Sequence, residues 1–193
     1  DDWGAIRAGK GLLLSTQEQE LAGGQQLDMQ EITHQLRQAL NAAESMSHSM
    51  SSAGMEELDV EAQEMFLENM VDGLQGAAIV AGAPGGLALS TPSHIQQSAS
   101  QNIVTTSGKN TEITALKRIA LAAKHSVSVF AHELGMKLVA VAGKVQIQAQ
   151  TDALEMLSKK AMNITSTDDE IIISAKKKIT LQCGGSFITL DPA

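Results

Sequence analysis

Aromatic residues are almost missing from this chain. It has three Phe, one Trp and no Tyr, 2% of its 193 residues, although 43% are hydrophobic. A compact enzyme of this length normally packs its core and its ligand contacts around rings, because each ring buries a large area. A core without them points to an extended, repetitive interior filled by Ile, Val, Leu and Ala. Cysteine is limited to Cys183, which excludes an internal disulfide framework. It falls on a small, inward position of the pattern described below, so a structural role is expected. No run is long and apolar enough to cross a bilayer. No positively charged leader with a cleavage site opens the segment. The abrupt limits, Asp1-Asp2-Trp3 and Asp191-Pro192-Ala193, suggest a piece of something longer. Basic residues are outnumbered by acidic ones, 14 to 22, for a net charge of -8. That balance argues against a non-specific nucleic-acid binder.

The charge is unevenly spread. Residues 1–84 hold 3 Lys/Arg and 14 Asp/Glu, and residues 85–193 hold 11 and 8, so the balances are -11 and +3. The change falls at Gly82-Ala83-Pro84-Gly85-Gly86 and marks a boundary. The expected organisation is short strands and a linker over 1–26, a helical hairpin over 27–75, a linker over 76–86 and a repetitive β region over 87–193.

That last region sets the fold. Short alternating runs begin at Leu87, Ile95, Ile103, Thr111, Ile119, Val127, Met136, Val145, Leu154, Met162, Ile171, Ile179 and Phe187, each eight or nine residues after the last. Alternation within a run is the signature of a strand, and a fixed longer period is that of a stacked repeat. The inward set is expected to be Ile119, Leu121, Val127, Val129, Met136, Leu138, Val145, Ile147, Ile164, Ile171, Ile173, Ile179, Leu181 and Phe187. Eight or nine residues supply one strand of about five residues and a corner. Such a rung has one apolar side and cannot enclose a core alone. The strands could meander as an antiparallel sheet, three rungs of one chain could close each coil, or several chains could wrap together as a prism. The thin aliphatic filling suits the last. Polar residues at Gln97, Thr105 and Thr111 on the apolar side imply internal hydrogen bonds, water or ions.

Upstream, residues 4–7 and 11–15 read as extended pieces around a glycine turn. Gly9-Lys10-Gly11 lacks the spacing of a phosphate loop. A helix is expected over 28–50, capped by Asp28 with Glu31 as its reciprocal partner. Its apolar face is Met29, Ile32, Leu36, Leu40, Ala43, Met46 and Met50. A second helix is expected over 56–73, with Leu58, Ala62, Met65, Phe66, Met70 and Leu74 on one side and Glu56, Glu57, Asp59, Glu61, Glu64, Glu68 and Asp72 on the other. Met46, Met50, Met65 and Met70 are candidate partner-docking residues, since methionine surfaces adapt to different ligands.

No constellation of catalytic chemistry emerges. His34, His48, His94, His125 and His132 lack the further ligands a zinc site needs. No nucleophile elbow is present, and Asp168-Asp169-Glu170 lack an aromatic sugar platform. No catalytic, metal or cofactor residue is assigned.

Several motifs, in order, resemble a known family. Asp2-Trp3-Gly4-Ala5-Ile6-Arg7-Ala8-Gly9-Lys10-Gly11-Leu12-Leu13-Leu14-Ser15 resembles the segment after the core of type VI secretion spike proteins, the valine-glycine repeat G family. Gly135-Met136-Lys137-Leu138, Gly143-Lys144-Val145-Gln146-Ile147-Gln148-Ala149-Gln150, Ile164-Thr165-Ser166-Thr167-Asp168 and Cys183-Gly184-Gly185-Ser186-Phe187-Ile188-Thr189-Leu190 resemble its C-terminal spike domain. The likeness is weakest in the helical pair, and the corner Asp168-Asp169-Glu170 departs from the family's pattern.

The resemblance implies a trimeric, intertwined β-prism that extends a membrane-piercing needle and carries an effector or a tip or adaptor protein. It implies contact with the inner-tube protein through a region N-terminal to this chain, and transient membrane contact on injection. It implies assembly in the bacterial cytoplasm, then secretion or delivery into a target cell. It implies no enzyme activity and no cofactor. Two other readings stand beside this one: a trimeric adhesin or phage tail-fibre segment, and a single-chain β-solenoid enzyme acting on polysaccharide.

Overall fold

The computed structural model describes residues 4–18, 29–71 and 76–191. The chain divides into two units, Asp1–Lys137 and Leu138–Ala193. In the first unit, β1 (Gly11–Ser15) is followed by the helix α1 (Gln30–Ser52), the short helix α2 (Val60–Phe66), a wider π-helical turn (Leu67–Val71) and β2 (Ala78–Gly82). β1 and β2 pair in parallel, with Leu13 opposite Val80. A parallel pair needs a long crossover, and the helical segment supplies it. Part of the expected 76–86 linker is therefore a paired strand.

The helices are held by local chemistry at their ends. α1 begins two residues later than expected, at Gln30, and Met29 at its cap makes no side-chain cap bond. The expected cap Asp28 lies outside the described residues, as do Asp72 and Leu74. Its far end is closed at Gly54, whose φ of 75° lies in the left-handed region that favours glycine. There the Gly54 amide donates to the Ser51 carbonyl (2.9 Å) and the Met55 amide to that of Met50 (3.0 Å). α2 starts four residues later than expected because Asp59 is its cap: Asp59 Oδ1 accepts from the Ala62 amide at 3.2 Å.

One small core joins helices and strands. Met29, Leu40, Leu67, Val71 and Val80 are buried together, with Leu13, Ile32, Val60 and Ala78 packed against them. The buried side of α1 is rotated from the expected face. Thr33 and Ser47 are buried, whereas Leu36 (37% exposed) and Met46 (45%) are not. The reason at Ser47 is polar: its hydroxyl accepts from the Leu58 amide at 3.0 Å, satisfying a part-buried donor in the inter-helix turn.

From 87 to 178 the chain runs as extended segments broken by bends. The bends fall at 92–93, 100–101, 108–109, 116–117, 124–125 and 132–134 in the first unit, and at 141–143, 150–152, 159–160, 167–169 and 176–177 in the second. Each lies just ahead of a run start from Ile95 to Ile179. Up to 132 the period is eight residues, and the longer bends beyond it carry most of the extra residues. Gly143, in one of these, has φ of 86°. Hydroxyls just ahead of several bends stabilise them, as where the Lys109 amide donates to Ser107 Oγ (3.3 Å) and the Ser158 hydroxyl to the Lys160 carbonyl (3.2 Å). Among the described residues, no extended segment of 87–178 pairs with another. Neither the pairing of an antiparallel meander nor that of a self-paired single-chain coil is present over these residues.

The last two runs differ. β3 (Ile179–Cys183) and β4 (Ser186–Leu190) form an antiparallel hairpin turned at Gly184-Gly185. Direct cross-strand partners share a face. Ile179, Leu181, Ile188 and Leu190 therefore lie on one face, and Phe187 lies opposite Gln182 on the other. Phe187 thus leaves the expected inward set, displaced by the two-residue turn.

Candidate functional site

The surface this chain presents is the apolar side of its rungs. The expected core residues Ile119, Leu121, Val127, Val129, Met136, Leu138, Val145, Ile147, Ile164, Ile171, Ile173 and Leu181 are all exposed in the single chain, from 50% at Ile171 to 78% at Leu121, and Ile179 is partly buried. From Ile119 to Ile173 the side chain that opens a rung is better shielded than the next inward one, while Leu116 and Leu134, at bends, are fully exposed. Total accessible surface is 18630 Å². A compact monomer of 20.3 kDa would expose about 8,800 Å² and the unfolded chain about 29,000 Å². The difference from a compact monomer, about 10,000 Å², exceeds what permanent protein interfaces commonly bury.

Within the first unit, two hydrogen bonds tie the helical segment to the rungs. The Asn102 amide group donates to Asp59 Oδ2 at 3.0 Å, and the Ser126 hydroxyl donates to Glu56 Oε2 at 3.2 Å. Asn102 and Ser126 hold equivalent places, each one residue before a run start (Ile103 and Val127), and they are three rungs apart. One four-residue turn thus touches the first and fourth members of a series. The chain thus comes back to the same helical turn after three rungs. Sequence reasoning missed this contact, although the exact eight-residue spacing of Asn102, Asn110, Arg118 and Ser126 was a usable signal.

Among the candidate docking methionines, Met46 (45%), Met65 (56%) and Met70 (44%) are exposed. Met50 is buried at 7%, within the last turn of α1, and is withdrawn as a docking residue. Cys183 is a free thiol, exposed in the single chain like most of the expected inward set. His132 lies 3.9 Å from Glu133 and 6.2 Å, centroid to centroid, from Phe130. Among the described residues no group of three or more His, Cys, Asp or Glu could hold a metal ion. No helix among them is long and apolar enough to cross a membrane.

Comparison with known proteins decides the family. A solved structure of the VgrG spike from the type 6 secretion system superposes with a TM-score of 0.95 at 34% identity, covering 100% of this chain and 73% of that one. The chain belongs to the type VI secretion spike family. A second spike structure, with the Tle1 effector bound, gives a TM-score of 0.94 at 35% identity over 99% of this chain and 59% of that one. Residues 66–193 match the family described as "Uncharacterized protein conserved in bacteria (DUF2345)", and residues 1–50 match the type VI secretion system Rhs element Vgr. The spike proteins VgrG2b and VgrG2a of Pseudomonas aeruginosa are each 28% identical over 179 residues, 86% of this chain. The chain spans only 18% and 21% of the length of those two spike proteins.

Proposed function

We propose that three copies of this chain wind into the β-prism shaft of a type VI secretion spike. The observation that carries the reading is the join of one turn to Asn102 and Ser126, three rungs apart, with no pairing among the extended segments of 87–178. Extended backbone with unpaired N–H and C=O groups and half-exposed aliphatics does not repay the entropy of ordering. Strands from two further copies would fill the interval, pair both edges and cover Ile119, Leu121, Val127, Val129, Met136, Leu138, Val145, Ile147, Ile164, Ile171 and Ile173. Closing the sheets on themselves also leaves few free edges to aggregate.

In this reading the chain is a structural element and not an enzyme. The shaft stiffens the puncturing tip, and rigidity comes from repeated rungs, each adding hydrogen bonds and buried aliphatics. The helical segment sits on the outside of the prism and offers Met46, Met65 and Met70 to an effector or adaptor. A solved relative with an effector bound supports effector carriage. Contact with the inner tube belongs to the region preceding this chain. Assembly is cytoplasmic, followed by delivery into a target cell with passing membrane contact.

Native mass measurement tests the assembly. A particle of three chains is expected. A folded monomer that resists protease across 87–178 would sink the reading.

A further inference from the structure

We infer that the 56–59 turn of one copy clamps Arg118 of a second copy, so that each helical segment straps neighbouring chains of the shaft together. This rests on the three-chain reading above and adds a specific contact to it.

The register supplies the geometry. Asn102, Asn110, Arg118 and Ser126 recur at one position of the eight-residue period, each directly before a run start. In a prism of three wound chains, each chain steps to the next face at every rung and returns after three. The strands between Asn102 and Ser126 of one copy therefore come from the other two, and they carry Asn110 and Arg118 at the same position. With neighbouring strands about 4.8 Å apart, Asn102 and Ser126 stand about 14 Å apart along the face. Three residues of extended turn reach at most about 10 Å, and the side chains of Asp59 and Glu56 close the rest. A segment anchored at both ends in this way lies across both intervening strands.

The chemistry under the strap is complementary. Arg118 of the second copy falls between the Asp59 and Glu56 carboxylates, next to the strand held by Glu56. Its guanidinium fork has donors for both, and charge-assisted pairs of this kind are directional. Within its own chain Arg118 makes no hydrogen bond or ion pair with the described residues, and neither does Glu57. The Arg118 guanidinium and the Glu57 carboxylate are thus left for a second copy to engage. The charge split, -11 before residue 85 and +3 after it, follows the same division. By symmetry the trimer holds three such straps.

The test is crosslinking of the full chain carrying Glu57→Cys and Arg118→Cys in a Cys183→Ser background. A short bismaleimide is added, and products are resolved after boiling in detergent. Covalent dimers and trimers are expected. A particle that is trimeric by native mass but yields only single-chain bands overturns the strap and leaves the assembly standing. A monomer by native mass overturns both. An independent readout uses single variants: Arg118→Glu lowers the urea midpoint of trimer dissociation and Arg118→Lys restores most of it. Equal midpoints for wild type and Arg118→Glu overturn the strap even if the cysteine variant does not fold.

Discussion

The Leu58 amide donates to the Ser47 hydroxyl at 3.0 Å, across the turn that joins the two helices. Ser47 is 3% exposed. Ser47→Ala leaves the Leu58 donor without its partner, a loss of about 1–3 kcal/mol. Faster hydrogen exchange at Leu58 and a lower melting temperature of the helical signal are expected. Unchanged protection at Leu58 would show that the bond contributes little.

Gly82 lies under Ile32. A β-carbon at Gly82 would fall 2.5 Å from Ile32 Cδ1 and 2.6 Å from Cγ1. Gly82→Ala therefore forces the Ile32 side chain to shift within its packing, at about 1–3 kcal/mol. Ile32→Val removes the nearer atom, so the double variant recovers part of the loss in thermal melts. If the double variant is no better than Gly82→Ala alone, the clash is not the cause.

Rung and bend positions should respond oppositely to charge. Val127→Asp places a carboxylate in the proposed interior, once in each copy, where an unpaired charge is expensive. Dissociation to monomers, or failure to assemble, is expected from light scattering. Leu116→Asp changes a fully exposed bend residue and should leave the assembly intact. The reverse ranking would turn the proposed prism inside out.

Gly143 adopts φ of 86°, and a β-carbon added there would meet nothing within 4 Å. The strain of Gly143→Ala is then conformational alone, about 1–2 kcal/mol per copy. It should lower the urea midpoint of the assembly, while Lys144→Ala next to it changes little. Equal midpoints for both would mean that the bend relaxes freely.

Deleting 28–75 removes the helices but leaves a crossover long enough to join β1 to β2, which needs about a dozen residues. The shaft should stay trimeric with a lower dissociation midpoint, and any effector bound through Met46, Met65 or Met70 should be lost. Loss of the trimer itself would refute the division of labour between helices and shaft.

The rung pattern was legible because alternation and period are local: an apolar residue at Ile119, Leu121 or Val145 declares its side of the strand within five positions. The bends just before Ile95, Ile103 and Val127 follow from the same pattern. The helix faces were less legible. Thr33 and Ser47 are polar residues off the expected apolar face, yet both are buried, Ser47 against the amide of Leu58. The β1–β2 pairing joins residues separated by the whole helical segment, which local alternation does not report. At the C-terminal end Gly184-Gly185 marks the last turn, but the repeat puts Phe187 on the side of Ile179 and Leu181, and the hairpin register puts it on the other.

By itself the sequence determined the strand period, the aliphatic filling and the separation of acidic helices from a mildly basic repeat. These depend on each residue's own chemistry and on its neighbours a few positions away. Only the tertiary structure decided that Asp59 and Glu56 reach rungs three apart, that β1 pairs with β2, and that Met50 is inside. Those contacts join residues distant in the chain, and their energies exist only once the backbone has brought the groups together.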